Sequence, residues 1–304
     1  MLKYIIMTCK INLDIDAKIR KLINNYKIPK SKLITNLVLC GGGVRGIAHV
    51  GALKALDEKG VLKSIKNISG SSIGGIIGCL ISIGYTPTEL YNFIDVFDLA
   101  KCKSKHMSDI FTEFGIDNGK NFNCIMQKLF KQKNISPDIT FNDLYKLNGI
   151  KLFLTTVCIN DKSAVYLSND TVPNMKLIDG LRMTASFPFW FVPVSYKNKL
   201  YIDGGCIDNY PISVFADDLD STIGLYLITI KEYKKSITNI EEYFSSLIEC
   251  LNESVHMTTI NGTLKNTIKI HLEAVGMLDM KLTREKKKQI FTNGYVTTIN
   301  WFLN

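Results

Sequence analysis

The chain has 304 residues, of which 46% are hydrophobic and 10% aromatic, so it is long and apolar enough to bury a large core. This composition excludes an intrinsically disordered chain and a short scaffold held together by disulfides or zinc. The 37 basic and 28 acidic residues give a formal net charge of +9, which favours anionic partners such as acidic lipid headgroups; a nucleic-acid role has no support beyond this charge.

Apolar periodicity divides the chain into alternating strands and helices, with no internal repeat or low-complexity linker. Residues 1–35 are predicted to form an N-terminal extension with a helix at 14–26. Beyond it, strands are predicted at 37–40, 67–69, 151–159, 164–167, 199–202, 222–230 and 267–272, and helices at 47–60, 73–83, 88–97, 120–130, 141–147, 240–255 and 284–302. The alternation indicates an α/β fold of three layers, in which helices cover both faces of a mostly parallel central sheet.

A glycine-rich segment joins the first strand to the first helix of this core. Its residues are Gly41, Gly42, Gly43, Val44, Arg45 and Gly46. It matches the G-x-G-x-x-G pattern of dinucleotide-binding folds, but the second strand does not end in the acidic residue that would bind a ribose. Alternatively, consecutive glycine N–H groups at a helix N-terminus stabilise an oxyanion, provided that a nucleophile lies nearby. A purely structural turn is the third interpretation.

A second glycine-framed segment, G-x-S-x-G at residues 70–74, lies between a predicted strand and a predicted helix. In this context Gly70 and Gly74 allow a sharp, strained turn that exposes the central serine hydroxyl above the sheet. The central residue is Ser72, because its neighbour Ser71 lacks the symmetric glycine frame. The pattern favours Ser72 as a nucleophile, with a structural loop as the alternative.

A serine hydroxyl needs a base to act as a nucleophile at neutral pH, and the histidines are poorly placed for that role. His49 follows the glycine segment, and His106 lies in a lysine-rich stretch. His256 and His271 are downstream of the serine, as a Ser-acid-His order requires, but they fall in a predicted helix and a predicted strand. A catalytic triad is therefore the weaker hypothesis.

Asp203 is the stronger candidate for the base. It ends a predicted strand and precedes Gly204 and Gly205, which let the backbone turn sharply. The carboxyl ends of parallel strands are where α/β sheets place their chemistry. An Asx-turn at a strand end is the structural alternative, and Asp208 is a weaker competitor because it lacks the strand-end position.

Together these motifs resemble the patatin-like phospholipase family over residues 37–215, with further similarity in the segments 182–188, 191–194 and 209–211. The resemblance implies a patatin-like catalytic core at 36–217, completed by strands and helices at 218–304. It implies a serine-aspartate dyad in which Ser72 attacks an acyl ester and Asp203 accepts the serine proton. It also implies an oxyanion hole at Gly42, Gly43 and their neighbours, with Arg45 fixing the loop or contacting a substrate phosphate.

The resemblance further implies a glycerolipid substrate, phospholipase A-type hydrolysis and no metal or other cofactor. A neutral-lipid lipase or transacylase, and a catalytically inert lipid-binding protein of the same fold, remain as alternatives. The aromatic run at 187–191 suits either the core or a wall that receives the acyl chain. Residues 98–118, with Phe111 and Phe114, suit a mobile lid or a membrane-facing loop.

Several features bear on where the protein acts. The apolar stretch at 4–7 is too short for a signal peptide, and the one at 73–85 is too short to cross a bilayer. The eight cysteines are scattered without a C-x-x-C pair, as reduced core thiols are. We therefore expect an intracellular protein, soluble or bound peripherally to a membrane. The lysine clusters at 101–105 and 286–288 suit solvated faces, or alternatively a membrane contact. The scarcity of arginine is typical of an A/T-rich genome, such as that of a large DNA virus, and an effector that acts in a host cell fits this expectation.

Overall fold

The computed structural model of the chain describes residues 33–102, 110–229, 266–273, 275–277 and 279–303, with a few positions between 236 and 250. The helix predicted at 14–26 lies outside these residues, as do most of the helix predicted at 240–255 and the middle of the segment 98–118. His106 and His256 lie outside them as well.

Eight strands form the central sheet, in the order β10-β9-β1-β2-β4-β8-β7 with β5 also paired to β4. They are β1 (Asn36–Leu39), β2 (Asn67–Ser71), β4 (Lys151–Cys158), β5 (Ser163–Leu167), β7 (Val194–Tyr196), β8 (Lys199–Asp203), β9 (Thr222–Thr229) and β10 (Thr267–Leu272), with β3 (Gly115–Asp117) and β6 (Phe189–Phe191) forming a separate parallel pair. The pairs from β10 to β4 are parallel, and those of β4 with β5 and β8 and of β7 with β8 are antiparallel. The predicted α/β fold with a mostly parallel sheet is confirmed.

Eight helices accompany these strands among the described residues. They are α1 (Ile47–Glu58), α2 (Ile73–Ser82), α3 (Pro87–Val96), α4 (Ile110–Glu113), α5 (Lys120–Gln132), α6 (Phe141–Asn148), α7 (Leu177–Thr184) and α8 (Arg284–Leu303), besides short 3-10 turns. The first strand shows how they are arranged. Leu37 and Leu39 enter the large core that the helices share, whereas Val38 and Cys40 face the opposite side of the sheet. On that side the 3-10 segment Ile212–Ser221 supplies part of the cover.

The two edges of β4 explain how distant parts of the chain meet. On one edge β5 pairs with residues 154–158. The other edge is shared, because β2 pairs with residues 151–155 and β8 with residues 156–158. Ser71 is opposite Thr155 and Asp203 is opposite Thr156, so β2 and β8 lie end to end and their carboxyl ends meet.

This arrangement corrects one step of the sequence argument. Asp203 does end its strand, but β8 runs antiparallel to β4 rather than parallel to it. The side chain reaches the site because β8 enters from beyond the end of β2 and stops where β2 stops. The general rule about parallel strand ends therefore does not account for its position.

The segment 98–118 is more regular than the loop expected from its composition, as far as it is described. It contains α4 and β3, and β3 pairs with β6 from the aromatic run, with Gly115 opposite Phe189. Phe111 and Phe114 remain exposed, at 88% and 57% of their surface. The pairing thus fixes these two side chains beside the segment that leads into the strand of Asp203.

The lysine cluster at 286–288 is not a solvated face as a whole, because one of its three residues is buried. Lys287 is buried and donates hydrogen bonds to the carbonyl oxygens of Ile94 and Phe97, at 2.9 and 2.7 Å, at the end of α3. Lys286 lies 3.7 Å from the carboxylate of Glu273. Lys287 therefore docks α8 onto the end of α3. In the cluster at 101–105, residues 103–105 lie outside the described part.

Candidate active site

The chain turns sharply at Ser72, between the end of β2 and the start of α2. Ser72 has φ 51° and ψ −125°, a conformation that costs a non-glycine residue on the order of 1–3 kcal/mol. The neighbouring glycines make the turn possible. A Cβ added at Gly74 would lie 2.3 Å from the carbonyl oxygen of Leu39, and one at Gly70 would lie 2.6 Å from the backbone of Gly74. This is the strained strand-to-helix turn that the G-x-S-x-G pattern predicts.

Asp203 faces this turn from the end of β8. It is 3% exposed, and its Oδ1 accepts a hydrogen bond of 2.8 Å from the N–H of Gly205. A Cβ at Gly204 would lie 2.3 Å from the carbonyl oxygen of Thr155 and 2.8 Å from Oγ of Ser71. Glycine at position 204 thus lets the end of β8 come into contact with the end of β2.

The hydroxyl of Ser72 interacts with the carboxylate of Asp203, although 131 positions separate them in the sequence. Burial raises the pKa of Asp203 from 3.8 to about 6, and the interactions with Ser72 and Gly205 offset part of the rise. Its second oxygen, Oδ2, is buried without a hydrogen-bond partner among the described residues. The site thus places the Ser72 hydroxyl next to a carboxylate that is more basic than usual and that has one unbonded oxygen among the described residues.

A buried arginine fixes the segment that precedes β8. Arg182 donates to Oγ of Ser186 at 2.5 Å and to the carbonyl oxygen of Val192 at 2.8 Å. The carbonyl oxygen of Ser186 in turn accepts a hydrogen bond of 2.9 Å from the backbone N–H of Asp203. Position 203 is therefore held by a network that runs through α7.

The glycine segment lies on the other side of Ser72. The N–H of Gly41 donates to the carbonyl oxygen of Asn209 at 3.0 Å, and that of Val44 to Met277 at 3.0 Å. Among the described residues, the N–H groups of Gly42 and Gly43 have no partner. Gly43 has φ +56°, and a Cβ there would lie 2.1 Å from the carbonyl oxygen of Met277. Within the described part of the chain, the segment therefore has two amide donors that are not already bonded.

Arg45 and Gly46 stabilise the shape of this segment. Nε of Arg45 donates to the carbonyl oxygen of Gly42 at 3.1 Å, which agrees with the loop-fixing role among the two expected for it. A Cβ at Gly46 would lie 2.4 Å from Cγ1 of Ile73, the residue after the serine. The segment thus packs directly on the serine turn, which favours the oxyanion interpretation over dinucleotide binding.

Two of the competing bases, His49 and Asp208, are engaged elsewhere. His49 is fully buried, its Nε2 lies 2.8 Å from the carbonyl oxygen of Cys40, and burial lowers its pKa to about 4. His271 is an exposed residue of β10. Asp208 accepts a hydrogen bond of 2.7 Å from the hydroxyl of Tyr166, and burial raises its pKa. Of the carboxylates considered, Asp203 is the one in contact with Ser72.

Two contributors to the site were given no role in the sequence argument. The hydroxyl of Thr184 accepts the backbone N–H of Ser72 at 2.9 Å. Oδ1 of Asn209 lies 2.3 Å from the position of a Cβ on Gly41 and 2.8 Å from that on Gly205. Asn209 therefore packs between the glycine segment and the turn after Asp203. Both residues fall in segments that carried the family resemblance, which was the only signal for them.

The aromatic run borders the same loop. Phe187, Trp190 and Phe191 are buried together, with Met277 packed against them. Since Met277 also contacts the glycine segment, this cluster of four side chains, called here the aromatic wall, lies next to the candidate oxyanion site. Phe189 is 39% exposed.

The described residues contain neither a metal-binding cluster nor a membrane-spanning helix. Within them, no group of three or more histidine, cysteine or acidic side chains is arranged to hold a metal ion. No helix in the same residues is both long and apolar enough to span a bilayer.

Comparison with known proteins identifies a family whose model covers the part of the chain that holds this site. The model of the family described as patatin-like phospholipase matches residues 37–216. Protein R571 of Acanthamoeba polyphaga mimivirus, which has no characterised function, is 32% identical over 88% of this chain and 93% of its own length. The probable lipid hydrolase 463L of Invertebrate iridescent virus 6 is also 32% identical, over 61% of this chain and 64% of its own length.

Solved structures agree in fold. VipD from Legionella pneumophila superposes with a TM-score of 0.59 over 89% of this chain and 67% of its own, at 16% sequence identity. At that identity the similarity describes the fold alone.

Proposed function

The chain belongs to the patatin-like phospholipase family, and from that premise we propose that it hydrolyses acyl esters of glycerolipids as a phospholipase A-type enzyme. One observation carries the proposal: the Ser72 hydroxyl meets the buried carboxylate of Asp203 beside two backbone amides that have no partner in the described part of the chain. The relative that is named a probable lipid hydrolase supports the substrate class.

In the first half of the proposed reaction, Oγ of Ser72 attacks the carbonyl carbon of the ester while its proton passes to Oδ2 of Asp203. The oxyanion that develops accepts hydrogen bonds from the N–H groups of Gly42 and Gly43. The N–H of Ile73 is available as well, since the first residue of a helix has no partner for it within the helix. The ester C–O bond then breaks, and Asp203 returns the proton to the departing alcohol.

In the second half, water attacks the acyl-enzyme carbonyl while Asp203 accepts a proton from that water. Collapse of this intermediate releases the fatty acid and returns the proton to Oγ of Ser72. Burial makes the carboxylate a stronger base than an exposed one, since its pKa is raised to about 6. That increase is the physical reason why an aspartate can serve here without a histidine.

Product analysis tests this proposal. The purified chain is incubated with vesicles of phosphatidylcholine and anionic phospholipid, and released lipids are identified by mass spectrometry. We expect free fatty acid and lysophospholipid, and with Ser72→Ala no release above that of vesicles alone. Acyl transfer to added glycerol in place of free fatty acid would indicate a transacylase. No product in either variant, on phospholipid or neutral lipid, would contradict an enzymatic role.

We propose further that the exposed aromatic residues beside the site contact the lipid surface. Phe111 and Phe114 precede β3, which pairs with the strand of the half-exposed Phe189. Exposed aromatic side chains next to a lipid site insert at the boundary between headgroups and acyl chains, and the net charge of +9 favours anionic lipids.

Replacing both Phe111 and Phe114 by serine should lower hydrolysis of anionic vesicles about tenfold, because burying two aromatic side chains contributes a few kcal/mol to membrane binding. Hydrolysis of a soluble short-chain ester should be unchanged. The matched control is the double variant Tyr145→Ser with Leu147→Ser, which also removes exposed apolar surface. These two residues lie on α6, which leads into the start of β4, whereas the site lies near the other end of that strand. Equal losses on vesicles and on the soluble ester would contradict a membrane role.

A further inference from the structure

The backbone N–H of Ser72 lies where the pairing of β2 with β4 stops. The last pair is Ser71 opposite Thr155, and the chain then leaves the sheet through the strained turn. The N–H of Ser72 does not bond the carbonyl oxygen of Thr155 directly. It donates to Oγ1 of Thr184 at 2.9 Å, and that hydroxyl donates to the Thr155 carbonyl at 2.5 Å. One side-chain hydroxyl thus extends the strand pairing across a gap.

The position of Thr184 leaves its hydroxyl little freedom. It is the last residue of α7, it is fully buried, and its only proton and an acceptor lone pair are both engaged. Its methyl group packs toward α2, since a Cβ at Gly75 would lie 3.4 Å from Cγ2 of Thr184. A β-branched side chain held on both sides keeps one rotamer.

The same link reaches the other half of the dyad. The Thr155 carbonyl that accepts from Thr184 is the one in close contact with Gly204, directly after Asp203. A shift of that carbonyl or of the serine turn would therefore change the distance between Oγ of Ser72 and Oδ2 of Asp203.

We propose that Thr184 is a positioning residue: its hydroxyl replaces the strand hydrogen bond lost at the turn and so holds Ser72 in the strained conformation that directs Oγ at Asp203. The proposal rests on the proposed function, because it requires Ser72 to be the nucleophile. Strained backbone persists only where its surroundings overdetermine it, and here one hydroxyl bonds the strained residue itself.

The test compares Thr184→Val, which keeps the shape and loses the hydroxyl, with Thr184→Ser, which keeps the hydroxyl. With a soluble ester we expect Thr184→Val to lower kcat about tenfold with KM little changed, because a misplaced nucleophile loses rate rather than binding. The rate constant for labelling of Ser72 by a fluorophosphonate should fall by the same factor. Thr184→Ser should stay within about threefold of the wild type in both measurements.

Thr298→Val is the matched control. Thr298 is also fully buried, and its hydroxyl donates to the carbonyl oxygen of Gly294 at 2.9 Å within α8. The same substitution there removes a buried threonine hydrogen bond away from the serine turn. We expect it to lower the thermal midpoint, as we expect of Thr184→Val, and to leave the labelling rate at the wild-type value.

The outcomes separate the two proposals. If wild-type protein is not labelled at residue 72, the proposed function fails. If wild-type protein is labelled, two results overturn the positioning role alone. One is that folded Thr184→Val is labelled as fast as the wild type, and the other is that Thr184→Ser is labelled as slowly as Thr184→Val. Should Thr184→Val not fold, Thr184→Ser is compared with Thr184→Cys, whose thiol is a weak donor and acceptor. Slower labelling of the cysteine variant supports the role, and equal rates overturn it.

Discussion

Asp203→Asn is expected to lower kcat roughly a thousandfold while the protein stays folded, because the amide cannot accept the serine proton. The change preserves shape, and the amide oxygen can still accept the hydrogen bond from Gly205 that now goes to Oδ1. The measurement is hydrolysis of a soluble ester, which leaves membrane binding out of the comparison. Asparagine before glycine deamidates to aspartate, so the intact mass is verified before each assay.

The same variant should be more stable than the wild type at pH 8. The pKa of Asp203 is raised from 3.8 to about 6 in the folded protein. Ionising this carboxyl in the folded state therefore costs about 3 kcal/mol more than ionising it in the unfolded chain. Asparagine carries no charge, so it escapes that cost. The difference in unfolding free energy should shrink as the pH falls and vanish near pH 4, where the aspartate is protonated in the fold. Loss of activity with a gain of stability would mark Asp203 as a residue retained for function.

The control is Asp208→Asn, which changes a half-buried carboxylate five residues after Asp203. It should remove the charge that accepts a hydrogen bond from Tyr166 and leave kcat within a few-fold of the wild type. If Asp208→Asn is inactive and Asp203→Asn retains turnover, the base has been misassigned. If both retain turnover, the serine is activated in some other way.

Local signals in the sequence predicted the fold class and most of the elements. The strand predicted at 67–69 is β2 (Asn67–Ser71), and the helix predicted at 284–302 is α8 (Arg284–Leu303). The strand was located by the glycine-framed turn that directly follows it, which is a local signal. The strands β3, β6 and β7 were missed because three residues carry no measurable period. They exist through their pairing with distant partners.

The site was less accessible to such signals. Glycine frames located the serine turn and the aspartate turn, but nothing local shows that β2 and β8 share one edge of β4. That depends on the register of three strands from separate parts of the chain. The contribution of Thr184 follows from the same register, because its hydroxyl matters only where the strand pairing ends. The basicity of Asp203 comes from burial, which is a property of the assembled fold.

The second large effect is on the pH dependence of the reaction. Asp203 must be ionised to accept a proton, so kcat/KM for a soluble, uncharged ester should be half-maximal near pH 6, the value to which burial raises the pKa of Asp203. Below that it should fall about tenfold for each pH unit, to roughly a hundredth of its maximum at pH 4. An exposed aspartate would move the midpoint to near pH 4.

Acid unfolding would imitate this profile, but two buried groups act against each other on stability. The raised pKa of Asp203 contributes stability that is fully present below pH 3.8 and is lost as the pH rises through about 6. The pKa of His49, lowered by burial from 6.5 to about 4, contributes stability that is present above pH 6.5 and is lost as the pH falls through about 4. Each effect is about 3 kcal/mol, so the contributions of these two groups to stability should nearly cancel between pH 4 and 6.5. Activity should therefore fall over a range where the thermal midpoint hardly moves, and return in full when the sample is brought back to pH 8. A midpoint of activity near pH 4, or a loss that follows unfolding, would show that Asp203 is not the titrating base.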